Sequence, residues 1–582
     1  MTRRLVGFSR GSFRKLIRAN VCLLLIFTFT FLMVGCIQVA PSTATISAPS
    51  QTTLPLTETS PIHPSLPTKT SQAEPSPSPT HLPIIVWLPP YLPVKMRTSI
   101  ILPAGMSLAA SQEDATITLA INDQQGYPDS LWIYALVAPF PTIRDGVTSD
   151  QLRLAWAGET SAPLVASPLL MDENTLELLT VYWGESASQA VQVLPADQLI
   201  DYAWNNQPSW AIVPFEQLEP HWKVLTIDGQ SPVRKDFDPL KYELTIPFTW
   251  MGNDFIRPDI LSLPASNRNP AKLTTVAMTG VTAMVRATAF TMEQEGITYP
   301  ALDIGSLLAQ ADITHISNEI PFSPDCPFPT PTMDNLVFCS SPRYIDLLKA
   351  VGTDIVELTG DHFMDYGADA TLYTLQMYKD LGWPYYGGGA NAEEARQPVK
   401  LENNGNRIAF MGCNVGCQVK NEIPCDAIAT DEHPGAAQCD FNWISSEIPA
   451  LKDEGYQVIF TFQHREYYTY TTEPILANDF GLVAAAGATI VSGSQAHQAH
   501  GFAFEDGTFI HYGLGNLFFD QYHYCVNNAC DDAFIDRHVF YDGQYISTEL
   551  ITIHFIDFAR PRLMTPEERQ RFLQVIFKAS GW

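Results

Sequence analysis

Positive charge is scarce in this chain. Of 582 residues, 34 are Lys or Arg against 62 Asp or Glu, a formal net charge of -28. Binding to nucleic acid or to an anionic lipid surface needs a basic footprint that releases counterions, so neither is expected as a partner of the folded surface. A long apolar run is also missing. The uncharged stretch 21–35 falls short of the ~20 apolar residues that a spanning helix requires. The ten cysteines include no Cys-x-x-Cys pair, the tight spacing by which zinc sites are usually read.

The short apolar run is instead expected to act as a signal. Arg3, Arg4, Arg10, Arg14, Lys15 and Arg18 precede it, and Gly35-Cys36 closes it. Leu32-Met33-Val34-Gly35-Cys36 resembles the lipobox of bacterial lipoproteins, which implies cleavage before Cys36 and lipidation of that residue. An uncleaved anchor helix and a twin-arginine signal are the alternatives. All three readings leave the bulk of the chain outside the cytoplasm, and lipidation of Cys36 would tie it to a membrane in the cell envelope.

Eight cysteines then remain in an oxidising compartment, where disulfides are the ordinary state. Near neighbours suggest Cys326 with Cys339, Cys525 with Cys530, and two bridges among Cys413, Cys417, Cys425 and Cys439. A metal site at that last cluster, joined by His433, is the alternative.

A chain of this length is too long for one core. The expected order is a signal over 1–35, a disordered Ser/Thr/Pro-rich stalk over 36–83, a first α/β or α+β domain over 84–262, a second α/β domain over 270–560, and a C-terminal tail or helix over 561–582. In the first domain, strand-like runs over 115–121 and 131–137 precede a helix start at Thr148-Ser149-Asp150. The segments Leu131-Trp132-Ile133-Tyr134-Ala135-Leu136-Val137 and Trp210-Ala211-Ile212-Val213-Pro214-Phe215 resemble parts of a phosphate-type periplasmic substrate-binding domain, which implies capture of a small anion.

From Leu273 onward one device repeats: an apolar strand-like run, then polar residues of ligand type, then a helix-like stretch. The polar ends are Gly280; Asn318-Glu319; Gly360-Asp361-His362; Gln463-His464-Arg465-Glu466; Gly493-Ser494-Gln495-Ala496-His497; and Gly513-Leu514-Gly515-Asn516. Strands alternating with helices predict a sheet covered by helices, with ligands gathered at the strand ends. Carboxylate, imidazole and amide groups there suit one hard or borderline divalent metal, such as manganese or zinc.

Asp361-His362-Phe363-Met364-Asp365-Tyr366-Gly367 and Tyr512-Gly513-Leu514-Gly515-Asn516-Leu517-Phe518-Phe519-Asp520 resemble motifs of the bacterial capsule-synthesis CapA family. The likeness runs over about 274–521. It implies a layered metallophosphoesterase-type sandwich and a part in the synthesis, export or anchoring of an acidic surface polymer such as poly-γ-glutamate. By position, Glu319, His362 and His497 match the family's acidic residue, the His of its Asn-His pair and the last His of its Gly-x-His-x-His turn. Val281 stands where the family has a metal-binding Asp, Asp361 replaces an Asn, and Gln495 replaces a His. A Val cannot ligate, so a single-metal site of Glu319, Asp361, His464 and His497 is expected, with His362 as the acid/base. A metal-dependent phosphoester hydrolase and a non-enzymatic anion-binding lipoprotein are the other readings.

Overall fold

The computed structural model describes residues 84–122, 128–159, 164, 167–252, 261–332, 336–416, 427–521, 525 and 529–582. Cys36, the signal, the stalk, Cys417 and Cys425 lie outside them. The chain from His81 to Trp582 forms one compact unit. Among the described residues, no helix is long and apolar enough to cross a membrane.

Two sheets face each other in the C-terminal part, and the strand sequences say why. Along Leu273–Thr279, Val276 and Met278 turn to one core while Ala277 turns to another. The same alternation separates Ile408 and Phe410 from Ala409 and Met411, and Ile459 from Val458 and Phe460. Apolar residues on both faces mark strands buried on both sides, as a parallel arrangement under helices demands.

The first of these sheets runs Tyr385–Tyr386, Ile355–Glu357, Ile313–Asn318, Leu273–Thr279, then antiparallel through Asp532–Tyr541, Gln544–Ile556 and Arg560–Leu563. The second runs Val399–Asn403, Asn406–Asn414, Gln457–Gln463, Ile490–Ser492, Thr508–His511 and Phe502–Glu505, its four central strands parallel. Hairpins at either edge turn at Asn404-Gly405 and Asp506-Gly507, where both residues have positive φ, the requirement of a type I′ turn.

Helices Arg286–Glu295, Ile345–Ala350 and Gly367–Leu381 cover the outer face of the first sheet through Ala289, Met292, Leu347, Leu375 and Tyr378. Helices Phe441–Asp453 and Pro474–Ala485 cover the second through Ile444, Ile448, Phe480 and Val483. The order helix, sheet, sheet, helix is the layered α/β sandwich expected. The C-terminal helix Pro566–Ala579, capped by Thr565 and Glu568, closes the inter-sheet core with Phe572, Leu573 and Ile576.

The N-terminal part builds a mixed sheet around Ser130–Pro139, flanked by Thr245–Gly252 and Trp210–Pro214. Helix Ser149–Trp156 starts where expected, with Thr148 and Gln151 forming a reciprocal cap. Its core also takes in Leu273, Val539 and Ile546 of the C-terminal part. The polar run ending at Pro270 is docked: Asn267 bonds both backbone groups of Ile133, and the buried Arg268 guanidinium donates to the carbonyls of Pro232 and Arg234.

Cys326–Cys339, Cys413–Cys439 and Cys525–Cys530 are disulfides. The Cys413–Cys439 bridge takes two thiolates away from the metal alternative for that cluster.

Candidate metal centre

The parallel strands of both sheets end at one edge, and the polar tails following them meet there. Glu319 follows Ile313–Asn318, Asp361 and His362 follow Ile355–Glu357, Glu466 follows Gln457–Gln463, and His497 follows Ile490–Ser492. Glu319, Asp361 and His362 each offer one ligand atom, all within 4.8 Å of one another. His497 adds its Nε2 at 3.7 Å from Glu319 Oε1 and 3.3 Å from Glu466 Oε1.

Each imidazole is held from behind. His362 Nδ1 lies 2.7 Å from Asp365 Oδ2, which also accepts from the Phe338 amide at 2.7 Å. His497 Nδ1 lies 2.9 Å from Asn516 Oδ1. Such bonds fix ring orientation and leave each Nε2 for the centre. Gly360 is required by close approach, since a Cβ there would sit 2.4 Å from the Glu319 carbonyl oxygen.

The carboxylates are poorly served by the polypeptide. Both oxygens of Glu319 and Oδ1 of Asp361 are buried and receive no hydrogen bond, and the Gln495 amide is equally unsatisfied. Burial, with the charge of Asp361 beside it, holds the Glu319 pKa above the ordinary carboxylate range; burial likewise raises Asp361. Burial opposes charge on His362, but Asp365, Asp361 and Glu319 outweigh it and push its pKa up to about 10. For His497, Glu466 and Glu319 overcome burial and push it up to about 9. Glu466, facing His497, is held down at about 2. Metal-free, the group balances itself with imidazolium charge while leaving carboxylate oxygens without donors. An acceptor-rich set of this kind fits a hard or borderline divalent cation.

Four of the five residues expected from the sequence meet here: Glu319, Asp361, His362 and His497. His464 stands elsewhere, with Nε2 at 3.0 Å from Asp479 and Nδ1 accepting from the Arg465 amide. Glu466 takes the place toward the centre. Val281 lies in an apolar cluster with Ala283, Val285, Ile320, Phe338 and Phe519, so hydrocarbon fills the position of the family's first Asp.

Beside that cluster is a feature the sequence did not announce. Arg286 is buried with φ +49, a left-handed conformation uncommon for non-glycine residues, and its guanidinium lies 4.4 Å from the Phe519 ring centre and 5.2 Å from that of Phe338. The same rings contact His497 and His362.

Fold and site together define a layered α/β protein with an acid-and-imidazole centre at its strand ends. Residues 275–521 match the family described as bacterial capsule synthesis protein PGA_cap. Over 191 residues the chain is 27% identical to the capsule biosynthesis protein CapA of Bacillus anthracis, a match covering 32% of this chain and 45% of that protein. The chain thus spans less than half the length of that relative. Among solved structures, an ABC-type phosphate transport receptor from Vibrio cholerae aligns at 11% identity and TM-score 0.24, covering 30% of this chain and 89% of that one. A hypothetical protein from Thermus thermophilus aligns at 11% identity and TM-score 0.29, covering 49% and 100%. TM-scores this low assign neither fold nor ligand to this chain.

Proposed function

We propose that this protein is an envelope lipoprotein, anchored through Cys36, that takes part in the synthesis, export or anchoring of an acidic surface polymer such as poly-γ-glutamate. The observation that carries the reading is the convergence of Glu319, Asp361 and His362 at the strand ends of the family-matched segment, with His497 and Glu466 beside them.

Glu319, Asp361 and His362 would hold one divalent ion, manganese or zinc, with His497 as a further ligand. When bound, that ion would polarise a carbonyl or phosphoryl oxygen and offset the repulsion between an acidic polymer and an acidic chain. Glu466 sets its negative charge against His497, and Asp365 orients His362. The apolar filling around Val281 favours one ion over two, and so favours polymer handling over a standard two-metal phosphoesterase.

Elemental analysis of the purified protein, before and after supplementation with manganese or zinc, tests this directly. About one tightly held ion per chain, lost in Glu319→Gln, is the expected result. No ion under either condition would sink the metal reading.

A further inference from the structure

A second charged site lies away from the strand ends, where the N-terminal sheet meets the strand Gln544–Ile556 and the helix Pro566–Ala579. It is a cavity of about 560 Å³, within the size range of small-molecule sites. Two carboxylates on its wall are each shared by two cations. Glu549 accepts from Arg234 Nε at 2.8 Å and from Arg537 Nε at 2.8 Å. Asp145 accepts from Lys223 at 2.7 Å and from Arg569 at 2.7 and 2.8 Å.

Two other carboxylates, Asp236 and Asp303, line the cavity, and Asp303 is neutralised by Arg560 at 2.6 and 3.0 Å. The four lining cations match the four lining carboxylates, and Arg560 behind Asp303 adds one further positive charge, inside a chain whose net charge is -28. The spare donors are identifiable. Lys223 and Arg569 are largely engaged, Lys223 also by the carbonyls of Thr142 and Ile143 and Arg569 by Thr552. Among the described residues, nothing accepts from either Nη of Arg234 or from Nη1 of Arg537. Arg234 is 35% exposed and Arg537 18%, so both remain reachable. The half-buried Leu550, Ile551 and Met564 supply an apolar wall, backed by the core residues Phe140, Leu573 and Phe577.

We propose that this cavity binds a small amphiphilic anion, its carboxylate or phosphate head on Arg234 and Arg537 and its apolar body against Leu550, Ile551 and Met564. Guanidinium pairs recognise both oxyanions through parallel N–H donors, so head-group chemistry is shared and the source must be separated by experiment. Because both parts of the fold contribute walls, an occupant would bridge them. The inference does not depend on the metal centre.

Titration calorimetry on the full chain with hexanoate and with hexyl phosphate, at constant ionic strength, is the test. Saturable binding of one or both is expected, the tighter ligand identifying the head group. Arg234→Gln should weaken it about tenfold while leaving the Arg537–Glu549 pair in place. Arg537→Gln provides a second reading, and Glu319→Gln should bind like wild type, which separates this cavity from the strand-end centre. No heat beyond that of chloride, or binding as tight as wild type in both arginine variants, would overturn the proposal.

Discussion

Glu357 ends one parallel strand, Glu319 lies just beyond the end of its neighbour, and both are fully buried. Glu357 accepts from Thr359 at 2.7 Å and from Ser494, and His315 Nε2 lies 3.3 Å away. These groups outweigh burial and hold its pKa below the ordinary range. Glu319 has no hydrogen-bond donor, and burial raises its pKa. The same side chain is thus structural where the polypeptide completes its partners and available for a ligand where it does not. Burial alone distinguishes nothing.

The largest effect expected from this contrast is on stability. Removing Glu357 strands the buried Thr359 and Ser494 hydroxyls and the His315 ring together, so Glu357→Ala should cost about 3–5 kcal/mol, read from urea unfolding midpoints. Glu319→Gln removes a charge that receives no hydrogen bond and faces His497 only at 3.7 Å, and its stability should stay within about 1 kcal/mol of wild type or rise. Equal losses in the two variants would end the comparison.

A smaller effect comes from the backbone beneath Glu319. Gly360→Ala forces a methyl into the Glu319 carbonyl, where the two must separate. A cost of about 1–3 kcal/mol is expected, as for overpacked cores, together with weakened metal uptake although no ligand has changed. Unaltered uptake would mean that Glu319 is not held in place from Gly360.

Much of this site can be read in the sequence because it sits where periodicity ends. Strands of alternating apolar residues stop at Asn318, Glu357, Gln463 and Ser492, and the polar residues just beyond must gather at one edge. The choice between His464 and Glu466 was not legible. Both lie beyond the last strand residue, where the two-residue alternation no longer says which way a side chain turns. Arg286, Phe338 and Phe519 were hidden for another reason: they come from three distant segments, and no local pattern records that a ring will stack on a histidine. The second cavity is more remote still, since Arg234 and Glu549 meet only once both parts have folded.

The subtlest test concerns the charge pair that stands in for a metal. His497 has its pKa raised from an ordinary 6.5 to about 9, chiefly because Glu466 and Glu319 face it. The stability this contributes is complete below about pH 6.5 and disappears as pH rises through 9. Glu466, lowered from 4.5 to about 2, shows the same pair from the other side: its contribution is complete above 4.5 and lost as pH falls through 2. The metal-free protein should therefore gain most from this pair between about pH 4.5 and 6.5 and weaken toward pH 9. His497→Gln should flatten the alkaline slope in chelator-treated protein. With metal present the slope should change sign, because a ligand imidazole must lose its proton first and each displaced proton is worth about tenfold in affinity per pH unit. Thermal melts from pH 6.5 to 9, with and without manganese, measure both; identical slopes would show that His497 does not exchange a proton for an ion.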